Sequence, residues 1–80
     1  MTFPLRIFAI DREIFVGDAE TLILPSASGQ IQILPHHAQM VSLLGEGDVL
    51  VKSPQGIQKI PISSGVVEVK ENETIVLVNF

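Results

Sequence analysis

Gly29-Gln30-Ile31-Gln32-Ile33-Leu34-Pro35-His36-His37-Ala38-Gln39-Met40-Val41-Ser42-Leu43-Leu44 is the stretch whose reading decides the fold. Its first part alternates, with Ile31 and Ile33 on one face and Gln30 and Gln32 on the other. That period of two belongs to a half-buried strand. Pro35 removes a backbone donor and fixes φ, so the ladder is expected to stop near Leu34. Residues 36–39 then form a polar corner. A second apolar run, residues 40–44, returns to the core and ends at Gly45. The stretch reads as strand, surface corner, strand.

The flanking sequence repeats this pattern. Upstream, residues 3–10 form a strand with Phe3, Leu5, Ile7 and Ala9 on one face and Arg6, Phe8 and Ile10 on the other. Both faces are largely apolar, so the strand is covered twice or turns one face to a partner. Asp11-Arg12 is a turn, residues 13–16 resume the strand, and Gly17-Asp18 is expected to bend or bulge. Residues 19–24 are β-prone, and residues 25–29 have loop composition. Downstream, residues 49–52, 57–62, 66–70 and 74–80 read as strands. Turns at Gly45-Glu46-Gly47-Asp48, Ser53-Pro54-Gln55-Gly56, Ser63-Ser64-Gly65 and Glu71-Asn72-Glu73 separate them. No window has a helical repeat. Short strands at close, regular spacing imply an all-β protein, a sandwich or barrel.

Eighty residues make one domain, 1–80. With no cysteine, neither a disulfide frame nor a thiolate metal site supports so small a core. Apolar residues make up 46% and charged residues only 18%. That charge content is low for a fully solvated small domain, so some apolar surface is expected to meet a partner. The net charge is -4, and Arg6, Arg12, Lys52, Lys59 and Lys70 are scattered. Binding a phosphate backbone needs clustered cations, so nucleic acid is not an expected partner. No apolar run approaches the roughly 18 residues of a membrane span, and the N-terminus has no signal-peptide pattern. A bacterial cytoplasmic protein is the simplest expectation.

Chemistry finds little support. His36 and His37 are neighbours, and neighbouring side chains in extended backbone point to opposite faces. One metal ion would have difficulty using both, and no cysteine completes a shell. The alternatives are a solvated corner or a contact point for another subunit. Seven of the nine carboxylates, Asp11, Glu13, Asp18, Glu46, Asp48, Glu71 and Glu73, fall in or near turns. Glu20 and Glu68 are expected inside strands on an outer face. Ser63-Ser64-Gly65 lacks a nucleophile elbow. Gly45-Glu46-Gly47-Asp48 is neither a phosphate loop nor a calcium loop. No catalytic residue, cofactor, metal or small-molecule substrate is expected. What stands out is apolar surplus: in the last strand Ile75 and Leu77 take one face, and Val76, Val78 and Phe80 the other. Either loops bury both faces of a small sandwich, or one face is an interface.

The central motif, Gly-x-x-x-Ile-Leu-Pro-x-His-Ala followed by an apolar run, resembles the signature loop of the epsilon subunit of F-type ATP synthases. Glu13-Ile14-Phe15-Val16-Gly17-Asp18-Ala19 resembles that family's second-strand segment. Gly47-Asp48-Val49-Leu50-Val51 is similar to its Gly-x-Val-x-Val strand, and Ser63-Ser64-Gly65-Val66-Val67-Glu68-Val69 to its Ser-Gly-Gly-x-x-Glu-Val segment. The chain departs from the family at Gln32, His36 and Ser64, where Gly is frequent, and at Gln39, where Pro is frequent. The resemblance implies a two-sheet β-sandwich of about eight to ten short strands, the N-terminal domain of the subunit without its C-terminal helical hairpin, and so without the inhibitory element. It implies a non-catalytic rotor subunit of the central stalk. Such a subunit binds the gamma subunit and the membrane c-ring, couples ion translocation to ATP synthesis, and sits peripherally on the cytoplasmic face of the bacterial inner membrane. By position, Ala9, His37 and Ser42 would face gamma, and Gly29, Gln30, Ile31 and Gln32 the c-ring. The alternative from the residues alone is an independent β-sandwich module that binds a ligand or peptide.

Overall fold

The computed structural model describes residues 1–80. It has nine strands and no helix: β1 (Phe3–Ala9), β2 (Arg12–Ala19), β3 (Thr21–Ser26), β4 (Gly29–Ile33), β5 (Met40–Leu44), β6 (Gly47–Ser53), β7 (Gly56–Ile62), β8 (Ser64–Val69) and β9 (Thr74–Asn79). The strands hydrogen-bond in the order β2-β1-β9-β8-β5-β3-β6-β7, and β4 pairs with the remaining side of β3. Every pairing is antiparallel except β1 with β9.

The step from β5 to β3 rests on one residue pair, Ser26 opposite Leu44. The sheet creases there. A five-stranded half, β2-β1-β9-β8-β5, folds over a four-stranded half, β4-β3-β6-β7. The expected two layers are thus one curled sheet joined at a single seam.

The core lies between the halves. Phe3, Leu5, Ile7, Ala9, Val67, Val69, Val76, Val78 and Leu44 enter it from the first half. Leu22, Leu24, Ile33, Val49, Val51, Ile60 and Ile62 enter from the second. In β1, β6 and β9 the buried residues fall on every second position, as a pleated strand requires. Each fully buried Leu, Ile or Val contributes roughly 1.5–3 kcal/mol of transfer free energy.

Four local expectations change. Gly17-Asp18 does not bend: both stay in the β1–β2 ladder, opposite Leu5 and Pro4. The bulge lies three residues earlier, where Ile7 faces Phe15 and Phe8 faces Glu13, leaving Ile14 unpaired. This lets Ile14 and Phe15, though adjacent, both pack against the core. Second, Glu20 does not lie inside a strand, although Ala19 ends β2 and Thr21 begins β3 on either side of it. The chain crosses between halves at Glu20, whose N–H donates to the Lys52 carbonyl at 2.7 Å, so Glu20 marks a corner. Third, the expected loop at residues 25–29 shrinks to the turn Ala27-Ser28, with Pro25 and Ser26 still in β3. The Ser26 hydroxyl donates to the Gly29 carbonyl at 2.7 Å and clamps this turn. Fourth, β6 starts at Gly47, inside the expected turn.

Candidate protein interface

The outward faces of the two halves differ in chemistry. On the first half the register aligns two rows of side chains. One runs from Leu43 through Val66 and Leu77 to Phe8. The next runs from Val41 through Glu68 and Ile75 to Arg6 and Val16. Leu43 is 77% exposed, Val41 68%, Val16 59% and Leu77 37%. Phe8, Val66 and Ile75 are half-buried beside them. A mainly apolar face results, with Glu68 and Arg6 as its charged members. The Arg6 guanidinium lies 5.8 Å from the centre of the Phe8 ring, which keeps the cation beside the apolar surface. Contiguous apolar surface of this kind marks a contact site more often than singly scattered residues do.

The second half turns a polar face outward. Gln30, Gln32, Lys52, Asp48 and Lys59 are exposed there. The Lys59 ammonium lies 3.6 Å from the Asp48 carboxylate. Both partners are solvated, so the pair adds little stability. Ile57, at the turn end of β7, is the exposed exception.

The corner between β4 and β5 is as polar as the sequence suggests. His36 has φ 66°, a left-handed conformation that L side chains rarely adopt. His37 Nδ1 lies 2.7 Å from the Ala38 carbonyl oxygen, and its backbone N–H donates to Leu34. Beneath the corner is an open cleft of about 250 Å3 between Pro35, His36 and His37 on one side and Lys70, Glu71 and Glu73 on the other. No group of three or more His, Cys, Asp or Glu side chains gathers into a metal site. No buried side-chain polar atom is left without a partner.

The positions expected to face one partner do not gather on one exposed face: Ala9 and Ser42 lie on the inward side of the first half, and His37 lies at the corner. Ala9 is 7% exposed and belongs to the core. Ser42 is half-buried in the inward row that continues through Val67 and Val76 to Ile7. His37 is half-buried at the corner, beside the cleft that also borders Phe3, at the opposite end of β1 from Ala9. The second set holds together: Gly29, Gln30, Ile31 and Gln32 lie on one strand. Gly29, Gln30 and Gln32 are exposed, and Ile31 is half-buried against the core.

Sequence reasoning did not single out the row Leu43, Val66, Leu77 and Phe8. The signal was present as apolar residues on both faces of β1 and β9. Choosing the outward face required the register.

The chain matches the family described as ATP synthase, Delta/Epsilon chain, beta-sandwich domain, over residues 2–80. It is 38% identical over 79 residues to the ATP synthase epsilon chain of Synechococcus sp. (strain CC9311), covering 99% of this chain and 58% of that one. It is 39% identical over 79 residues to the ATP synthase epsilon chain of Synechococcus elongatus, with the same coverage. Against the cyanelle epsilon chain of Cyanophora paradoxa the values are 38% identity, 99% and 60%. The chain therefore spans about three fifths of the length of these relatives. Among solved structures it superposes on a chain of the Euglena gracilis mitochondrial ATP synthase with TM-score 0.88 at 19% identity, covering 96% of this chain and 50% of that one. It superposes on a chain of the Tetrahymena thermophila mitochondrial ATP synthase central stalk and c-ring with TM-score 0.85 at 10% identity, covering 100% and 65%. At these identities the superpositions establish the fold.

Proposed function

This chain belongs to the ATP synthase delta/epsilon β-sandwich family, and from that premise we propose that residues 1–80 act as one unit, the sandwich of a non-catalytic epsilon-type subunit in the central stalk of a rotary ATP synthase. Its partners are the gamma subunit and the c-ring, and it helps them turn as one body that couples ion translocation to ATP synthesis. Its place is the cytoplasmic face of a bacterial inner membrane, held there by protein contacts.

The observation that carries this reading is the exposed apolar face on β1, β9, β8 and β5. A subunit whose work is to be gripped needs a rigid, partly apolar surface on a scaffold that does not move. Ordered cross-strand rows on a core-backed sheet supply it. Burying side chains such as Leu43 and Val41 against a partner is worth roughly 1.5–3 kcal/mol each before the cost of association. Ala9, His37 and Ser42 are the positions offered to gamma. Of these, His37 and Ser42 can contribute side chains. The buried Ala9 contributes through the position of the end of β1. Gly29, Gln30, Ile31 and Gln32 are offered to the c-ring.

Binding of the purified chain to a gamma subunit–c-ring assembly from the same source tests the reading. Saturable one-to-one binding supports it. No binding at high micromolar concentration overturns it and leaves an independent binding module.

A further inference from the structure

We propose that the free chain pairs with a second copy of itself, the outer face of the first half against the same face, about a two-fold axis that runs along β9. The inference rests on the register of this face and not on the rotor reading.

β9 is the middle strand of β2-β1-β9-β8-β5, so two strands of the face lie on either side of it. In the row Val41, Glu68, Ile75, Arg6 and Val16, Ile75 stands at the centre. Glu68 stands one strand away on β8, and Arg6 one strand away on β1. Both are exposed. Their strands lie about 10 Å apart. The chain's two ion pairs, Arg12 with Asp11 and Lys59 with Asp48, include neither of them.

A half-turn about β9 exchanges the two sides of each row. It sets Glu68 on the partner's Arg6 and Val41 on the partner's Val16, with Ile75 meeting its own copy. In the next row it sets Val66 on the partner's Phe8, with Leu77 meeting its own copy. Leu43 falls at the rim, opposite the partner's Glu13. Each central charge meets its opposite inside an apolar surround, and the symmetry makes the contact twice. A two-fold axis across the strands lays one row on the other instead. It puts Glu68 on the partner's Val66 and leaves the carboxylate unpaired, which is costly. Five strands about 4.8 Å apart and two rows deep bury less than the roughly 1,200 Å2 of a stable interface. The dimer is therefore weak, and the stalk partners compete with the second copy for one face.

Sedimentation of the chain alone, from low micromolar to about 1 mM, tests the pairing. Wild type is expected to pass from monomer to dimer with a Kd of about 10–100 μM. Arg6→Glu and Glu68→Arg each set like charges at both contacts, so each should weaken the dimer about tenfold or more. An equimolar mixture of the two variants should recover to within about threefold of wild type, because each variant carries the charge that the other lacks. Wild type that stays monomeric, single reversals that dimerise like wild type, or a mixture that stays monomeric overturns the proposal. A measurement on wild type alone guards against a misfolded variant. Raising salt from about 0.05 to 0.5 M should weaken the dimer several-fold by screening the two pairs. A dimer that salt leaves unchanged or tightens is held by apolar contact alone and overturns the arrangement. Failure to bind the stalk partners would remove the rotor reading and leave these results as they are.

Discussion

Gly65 and Leu77 approach so closely across the β8–β9 ladder that a Cβ on Gly65 would stand 2.5 Å from the Leu77 carbonyl oxygen and 3.3 Å from the Val78 Cα. Both atoms are backbone, so no side chain can swing aside. Gly65→Ala must push β9 outward or tilt β8, and it disturbs the row that presents Leu77. It should destabilise the chain by about 1–3 kcal/mol. A urea unfolding midpoint measures it. An unchanged midpoint would mean that the two strands are not held at this separation.

Leu43→Lys should separate stability from binding. Leu43 is exposed on the outer face, so the unfolding midpoint should move by no more than about 0.5 kcal/mol. Affinity for the stalk partners should fall at least about tenfold, because the apolar row is broken where it is most open. Lysine at Ile57, an exposed apolar residue on the other half, serves as the control and should leave binding intact. If both lysines act alike, the outer face of the first half is not the contact surface.

His36→Gly should stabilise the chain. Its backbone has φ 66°, and a non-glycine residue there pays of order 1–2 kcal/mol. Glycine removes that cost but gives back about 0.5–1 kcal/mol of unfolded-state entropy. The net gain should be about 0.5–1 kcal/mol, read as a higher melting temperature. His37→Gly has no such relief to offer and should be neutral or destabilising. Stabilisation of equal size at both positions would argue against strain localised at His36.

Ala9→Glu and Ser42→Glu should differ in kind. Ala9 points into the core, and a buried carboxylate without a partner should cost about 3 kcal/mol or more. Loss of binding by that variant would report unfolding. Ser42 is half-buried, and its hydroxyl donates only weakly, at 3.4 Å, to the neighbouring Leu43 carbonyl. Its replacement should leave the chain folded, as judged by circular dichroism, so that a change in gamma affinity can be interpreted. A well-folded Ala9→Glu variant would contradict the burial of Ala9.

Much of the fold was legible because it depends on local rules. Alternation in residues 29–33 marks β4, since strand side chains change face at every residue. Pro35 and the turn residues around it mark the corner through their fixed or permissive φ. The motif from Gly29 to Ala38 leads to the family for the same reason: it records a local backbone path. The bulge at Ile14 was not legible, because two adjacent apolar residues can be served by a bulge, a bend or an exposed side chain. Only the packed core decides among these. The corner at Glu20 was hidden in a run of β-prone residues, because a strand that switches halves need not change composition.

By itself, the sequence determined the strand content, the single small core and the family, since alternation, turn chemistry and short motifs are written in consecutive residues. The tertiary structure alone decided which apolar face stays outside and where Ala9 points. Those depend on register between strands as distant as β1 and β9. A shift of one residue would exchange every inward side chain for an outward one, and consecutive residues cannot record that choice.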